Sequence, residues 1–455
     1  MSSGELERLA AATLLPSFPG AEAPDWARRF VADGGGGVVL FAYNVPSRGE
    51  LAQLCAELRA ERDDVLLGID EEGGDVTRLE WQEGSSYPGN GALGAIGDAA
   101  LTEQTAEAIG CDLADAGVNW NFAPVADVNV PANPVIGERA FGSDPSLVAE
   151  HVGAFVRGLQ RTGVAACAKH FPGHGATDQD SHLELPVVSG DVEQGLPPFR
   201  AAIAAGVQTI MSAHVTVPAY GTAPATLNRE LMQGLLREEL GFGGLAVADA
   251  LEMKGVSATV GEEEGGVLAL AAGCDALIVG HDLGEHDVAR IQAAIVAAVR
   301  SGRLDEGRLR EAAGRVARAG AWAAPRATGA DRTVGAGAAR RALQVEGDVA
   351  FDAPPRVAEL RPRANIAAGE HLHSLLEATV VRERDDVPDA DVYVVRDAHR
   401  HPWMQAAADR PGAVVVELGV PLWRPAAARG YLATHGGSRV SLDAVAELLL
   451  APVPR

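Results

Sequence analysis

Val164-Ala165-Ala166-Cys167-Ala168-Lys169-His170-Phe171-Pro172-Gly173-His174-Gly175 opens as an unbroken apolar run and turns, at Lys169, into a polar segment rich in glycine and histidine. An apolar run this short reads as a strand buried on both faces, as strands of a parallel sheet are. Working outward, further apolar runs occupy residues 14–18, 37–41, 65–69, 118–122, 209–211, 245–248 and 276–279, separated by Ala/Leu/Arg-rich helical stretches as far as about Gly320. Together with residues 164–168 they make eight strands alternating with helices, the pattern of a closed (β/α)8 TIM barrel.

Polar clusters follow five of these strands: Asp70-Glu71-Glu72-Gly73-Gly74, Ala123-Pro124-Val125-Ala126-Asp127, Lys169-His170, Ser212-Ala213-His214 and Asp249. Polar residues close strands in any fold, but on one barrel all five clusters would converge on a single mouth, where barrel enzymes build their sites. The barrel is expected over residues 1–322. An Ala/Gly/Pro/Arg-rich stretch, 323–340, reads as a linker, and 341–455 as a small α/β domain with strands near 392–395 and 413–418 and a helix near 441–450. That second unit shows no catalytic motif; His399, His401 and Trp403 read as turn and packing residues.

The balance of 38 Lys+Arg against 62 Asp+Glu leaves a net charge of −24, a field that repels nucleic acid and anionic membranes. Neither is an expected partner. Hydrophobic residues at 47% and charged residues at 22% suit a soluble globular protein. Cys55, Cys111, Cys167 and Cys274 lie far apart without CxxC spacing and read as buried free thiols. No apolar stretch has secretory or membrane-spanning length, so a cytoplasmic location is expected.

The segment from Lys169 to His182 gathers His170, His174, Asp178, Asp180 and His182 among glycines. Imidazole titrates near neutrality, so His182 can give and take a proton, with Asp180 two residues earlier to orient it. The same residue types are metal ligands, and His170, His174, Asp178 and His182 could form such a set, although no HExxH helix or paired CxxC supports it. A solvated loop with capping Asp and Ser is the third reading. Farther on, Gly244-Leu245-Ala246-Val247-Ala248 delivers Asp249 to the mouth, where a carboxylate can serve as nucleophile, ligand or electrostatic partner. Glu252 sits past the strand end and reads as a helix-start residue.

These segments resemble glycoside hydrolase family 3, and within it the bacterial β-N-acetylglucosaminidases of peptidoglycan recycling. Lys169-His170-Phe171-Pro172-Gly173-His174-Gly175 followed by Asp180-Ser181-His182 carries the likeness most specifically. Asn133-Pro134-Val135-Ile136-Gly137-Glu138-Arg139-Ala140-Phe141-Gly142, Met211-Ser212-Ala213-His214 and Ala248-Asp249-Ala250-Leu251 extend it. The resemblance implies Asp249 as nucleophile, Asp180 and His182 as an acid/base dyad, and Asp70, Arg78, Arg139, Lys169 and His170 as the sugar grip; His214 reads equally as a subsite-floor residue or a satisfied core histidine, and the glycines around the dyad let its loop swing. It implies a small carbohydrate substrate, a muropeptide or another N-acetylglucosaminide, and neither cofactor nor metal. Two positions depart from the family pattern: Asp75 where arginine is frequent, and Ala248 where serine is common. Three alternatives stay open: a phosphorylase on the same fold, a metal-dependent hydrolase, and a barrel that binds sugar without catalysis.

Overall fold

The computed structural model describes residues 3–177, 185–188, 190–280, 283–326, 329–362 and 374–450. Its first sheet comprises β1 (Leu14–Pro16), β2 (Gly37–Leu40), β3 (Leu66–Ile69), β4 (Trp120–Asn121), β5 (Ala165–Phe171), β6 (Thr209–Ser212), β7 (Leu245–Ala248) and β8 (Ala276–Val279). All neighbouring strands pair in parallel, β1 with β8 and the rest in chain order to β2. β1 and β2 share no ladder but lie side by side, and the Gly36 N–H reaches the Ala11 carbonyl at 3.1 Å. The barrel expected from the alternation of strands and helices is present, with each strand within a few residues of its expected place.

Side-chain alternation along the strands makes two apolar layers. Leu15, Val39, Leu66, Trp120, Cys167, Met211, Leu245, Val247, Ala276 and Ile278 fill the barrel interior. Leu14, Val38, Leu40, Leu67, Ile69, Ala166, Ala168, Ile210 and Leu277 face the surrounding helices. Trp120 and Phe122 meet edge to face with centroids 4.8 Å apart, and the Trp120 indole donates to Thr209 Oγ1 at 2.8 Å, so the largest ring in the core keeps its polar atom satisfied. Gly68 makes room for that pair: a Cβ there would lie 2.6 Å from the Phe122 ring.

The amino-terminal end of the barrel is closed by Val316, Ala319 and Ala323, on and just after the helix Glu306–Trp322. Asp275, fully buried before β8, ties that end together. It receives Arg237 at 2.5 Å, Arg308 at 2.5 Å, Arg315 at 3.1 Å and the Ala246 N–H at 2.9 Å.

A second sheet contains β9 (Gln344–Gly347), β10 (Val357–Arg361), β11 (Thr379–Arg382), β12 (Val392–Val395), β13 (Val414–Glu417) and β14 (Gly430–Ala433), ordered β11-β10-β12-β13-β14-β9 with β9 antiparallel to the rest. One face packs on the helix Pro402–Ala408 through Met404, Ala407 and Ala408; the other packs on Arg439–Leu449 through Leu442, Val445 and Leu449. The stretch read as a linker is not all extended chain. Its second half belongs to the helix Thr333–Ala342, which buries Ala339 against Val440 and Ala444, while Arg332 pairs with Asp112 of the barrel at 2.8 Å. Alanines, which leave glycine-rich segments ambiguous in sequence, become helical here because a helix face is available to pack on. Among the described residues no helix is long and apolar enough to cross a membrane.

Asp275→Ala leaves three cations without their shared counter-charge, a change that costs about 3–5 kcal/mol when the pair is buried. Urea denaturation of the variant beside the parent chain checks this; an unchanged midpoint would show that the arginines find other partners.

Candidate active site

The carboxyl ends of β3, β5 and β7 and the loop after β4 bring the charged residues of the mouth together. β3 ends at Ile69, so Asp70, Glu71 and Glu72 leave the barrel in succession and turn back at Gly73 and Gly74, whose φ values of 76° and 65° favour glycine. β5 carries Lys169 to the same height. Its ammonium lies 2.6 Å from Asp70 Oδ1 and 2.8 Å from Glu72 Oε1. Arg139, on a short helical turn Gly137–Arg139, forks onto the same carboxylate with Nη2 to Oε1 at 2.7 Å and Nε to Oε2 at 2.9 Å. Glu72 is thus the hub of a four-charge cluster that sums to zero.

Burial governs the electrostatics of this cluster. The side chains of Glu72, Lys169 and Arg139 are 2%, 3% and 7% exposed, whereas Asp70 is 22% exposed and forms the wet end of the row. Burial alone would push the Glu72 carboxyl up, but Arg139 and Lys169 outweigh it and hold the group well below the usual carboxylate range. Burial likewise pulls the Lys169 ammonium down, and Asp70 and Glu72 more than reverse this. Glu71 faces elsewhere: burial pushes it up to about 7, and it accepts the backbone N–H groups of Arg78 and Leu79 at 2.8 and 2.9 Å, shaping the loop.

His170 and His174 are organised by one fully buried carboxylate. Asp127 accepts from His170 Nδ1 at 2.7 Å and from the His174 N–H at 2.6 Å. Asn133 closes the same loop by donating to the His174 and Gly175 carbonyls at 2.9 and 3.2 Å. Burial pulls His174 down to about 4, so its ring is neutral at pH 7, with Nδ1 3.0 Å from Thr177 Oγ1.

β7 ends at Ala248 and presents the half-buried Asp249, whose Oδ1 accepts the Ala250 N–H at 2.8 Å. β5, β6 and β7 are neighbouring parallel strands, so Lys169 and Asp249 leave the barrel at the same end. The structure therefore brings together Asp70, Arg139, Lys169, His170 and Asp249. Arg78 stands on the same loop, half-buried. Asp178, Asp180 and His182 lie outside the described residues.

His214, read either as a subsite-floor residue or as a satisfied core histidine, has the hydrogen bonds of the latter. It is fully buried, with Nε2 donating to the Ala250 carbonyl at 3.0 Å and Nδ1 2.8 Å from Thr226 Oγ1, so both ring nitrogens are engaged inside the wall. It braces the residue after Asp249. Glu72 and Asp127 are the functional residues that sequence reasoning passed over. A signal for Glu72 existed: two cations expected at one barrel mouth need carboxylates, and Glu72 stands two residues from Asp70. Among the described residues, no group of three or more His, Cys, Asp or Glu side chains is arranged to hold a metal ion.

A (β/α)8 barrel whose mouth sets a strand-end carboxylate beside a buried lysine, arginine and paired acids has the build of a carbohydrate-active hydrolase site. Comparison with known proteins makes this specific. Residues 19–319 match the Glycosyl hydrolase family 3 N terminal domain, and the chain belongs to that family as a glycoside hydrolase. A protein of Thiobacillus denitrificans named beta-hexosaminidase is 39% identical over 282 residues, 59% of this chain and 78% of its own length. One of Pseudomonas aeruginosa, also named beta-hexosaminidase, is 38% identical over 263 residues, 56% and 77% of the two chains. The structure of a glycoside hydrolase family 3 beta-N-acetylglucosaminidase from a Paenibacillus species superposes with a TM-score of 0.86 at 32% identity, covering 99% of this chain and 97% of that one, so the likeness includes the second domain.

The neutral His174 makes stability depend on pH. Its folded value near 4 lies below the ordinary 6.5, so between these limits the unfolded chain takes up a proton that the folded chain refuses. The stabilisation is complete above pH 6.5 and declines as pH falls toward 4. Urea denaturation at several pH values should show His174→Asn less stable than the parent at pH 7, with the gap narrowing as the pH is lowered; a constant gap would contradict a neutral His174.

Proposed function

We propose that this glycoside hydrolase is a retaining exo-β-N-acetylglucosaminidase that removes terminal β-linked N-acetylglucosamine, with muropeptides of cell-wall recycling as its substrates. The observation that carries the reading is Asp249, set by the end of β7 at the same barrel mouth as the Asp70, Lys169, Glu72 and Arg139 cluster. The relatives named beta-hexosaminidase and the neighbour named beta-N-acetylglucosaminidase support the choice of sugar. Cys55, Cys111, Cys167 and Cys274 are buried and form no disulfide, which supports a reducing compartment, in keeping with a cytoplasmic location.

In the first step an Asp249 carboxylate oxygen bonds to the anomeric carbon while the glycosidic C–O bond breaks, and His182 gives its proton to the departing oxygen. In the second, His182 takes a proton from water, the water oxygen attacks the anomeric carbon from the face the aglycone left, and the ester to Asp249 breaks. Two inversions retain the configuration. Asp180 orients His182 and stabilises its cationic form. Lys169, Arg139 and Asp70 hold the hydroxyl and N-acetyl groups, and His170, fixed by Asp127, presents its free edge to the sugar.

Asp249→Ala should reduce turnover of an aryl β-N-acetylglucosaminide to background, and the parent enzyme's first product by NMR should be the β-anomer; near-normal activity in the variant, or an α-anomer first, removes the nucleophile. His182→Ala should slow substrates with poor leaving groups far more than those with good ones, because only the former need the proton. Equal losses would remove the acid role. Adding inorganic phosphate should leave the rate unchanged and yield no sugar 1-phosphate; acceleration with that product would make the enzyme a phosphorylase.

A further inference from the structure

Glu138 and Arg139 are adjacent on one helical turn, and their side chains part company. Arg139 points into the barrel mouth and forks onto Glu72. Glu138 points outward and meets the second domain, where Arg396, at the end of β12, lies 2.6 Å from its Oε1. The same guanidinium takes Asp75, with Nη1 to Oδ2 at 2.7 Å and Nη2 to Oδ1 at 3.2 Å. Asp75 follows Glu72 by three residues on the loop after β3. One side chain of the second domain therefore pins both barrel segments that supply the Glu72 and Arg139 pair.

The surroundings leave this clamp little freedom. Asp75 is 1% exposed, and it also accepts the Gly437 N–H, at 3.0 and 3.2 Å from its two oxygens, just before the helix Arg439–Leu449. A Cβ on Gly437 would lie 2.3 Å from Arg396 Nη2, and one on Gly91 would lie 2.8 Å from the carbonyls of both Glu138 and His435. Asn90 holds the turn from the other side, donating to the Arg139 carbonyl at 2.8 Å. Without Arg396, the Asp75 and Glu138 carboxyls lose the one cation they share, and the two segments lose their common anchor on the second domain.

We propose that Arg396 is a positioning residue for sugar binding: the second domain, through this one guanidinium, keeps Glu72 and Arg139 in register and so sets the affinity of the barrel mouth. The inference rests on the reading that Arg139 holds the sugar. Because Asp249 is carried by β7, whose neighbours in the sheet are β6 and β8, while the clamp acts on the loops after β3 and β4, the clamp governs KM more than kcat.

The test uses the full chain and an aryl β-N-acetylglucosaminide. Arg396→Gln should raise KM about tenfold with kcat within about threefold of the parent, the scale expected when a binding group shifts by a fraction of an ångström. In an Arg139→Gln background the same change should add less than about twofold, since the group it positions is already gone. An unchanged KM in Arg396→Gln, or effects that multiply in the double variant, would overturn the inference while leaving the sugar grip intact. An unchanged KM in Arg139→Gln alone, where the clamp is untouched, would overturn the reading beneath it. If Arg396→Gln fails to fold, Glu138→Gln, which keeps the Asp75 half of the clamp, decides by the same pattern: a rise in KM of about threefold that vanishes beside Arg139→Gln supports the inference, and no rise overturns it.

Discussion

Buried charge has to be neutralised locally, and in this protein that requirement falls on Glu72. An ammonium and a guanidinium cannot both sit almost dry at a barrel mouth unless an anion stands between them, and Glu72 gives one oxygen to Lys169 and both to Arg139. The consequence is geometric as much as energetic. Lys169 belongs to β5, Arg139 to the loop after β4 and Glu72 to the loop after β3, so satisfying one carboxylate fixes three barrel segments against one another. Asp70, more exposed, completes the row and leaves an edge of donors and acceptors facing the mouth. Such an edge is suited to a polar, uncharged ligand crowded with hydroxyls, because it offers directional hydrogen bonds without a net field.

The second domain extends the same logic outward. Charged and backbone-directed contacts tie it to the barrel: Arg396 to Asp75 and Glu138, Arg400 to the Asn133 carbonyl, His399 to the Pro131 carbonyl, and Arg439 to Ser86. Each of these lands on a loop after β3 or β4, the two that supply Glu72 and Arg139. A domain without catalytic groups among these contacts thus acts on the site by restraining the loops that build it. Pre-ordered loops lower the entropy lost when a sugar binds, which is why such restraint favours affinity.

Much of the site was legible in sequence because strand ends on a barrel have one destination. Asp70, Lys169, His170 and Asp249 each follow an apolar run directly, and closing the barrel carries them to a common mouth whatever the details of packing. Arg139 was legible only through family likeness, since no strand delivers it. Glu72 and Asp127 stood in quoted clusters without a role, because choosing which of three consecutive acids faces inward needs the turn at Gly73 and Gly74. His214 looked like its neighbours in sequence, yet β6 turns its ring into the wall, where Thr226 and the Ala250 carbonyl take both nitrogens.

Sequence alone determined the barrel, the positions of its strands and a carboxylate, Asp249, at the end of one of them, because periodicity and local apolar runs encode secondary structure directly; the role of nucleophile came from the family likeness. It left the helix inside the expected linker and most strands of the second sheet unread, since short segments such as β9 and β11 have exposed, mixed sequences that become strands only beside a paired edge. Only the tertiary structure decided that Asp75, a departure from the family pattern, is the anchor of the second domain. Asp75 and Arg396 lie 321 residues apart in the chain. No local pattern marks two charges as partners at that distance. What pairs them is the cost of burying either one alone.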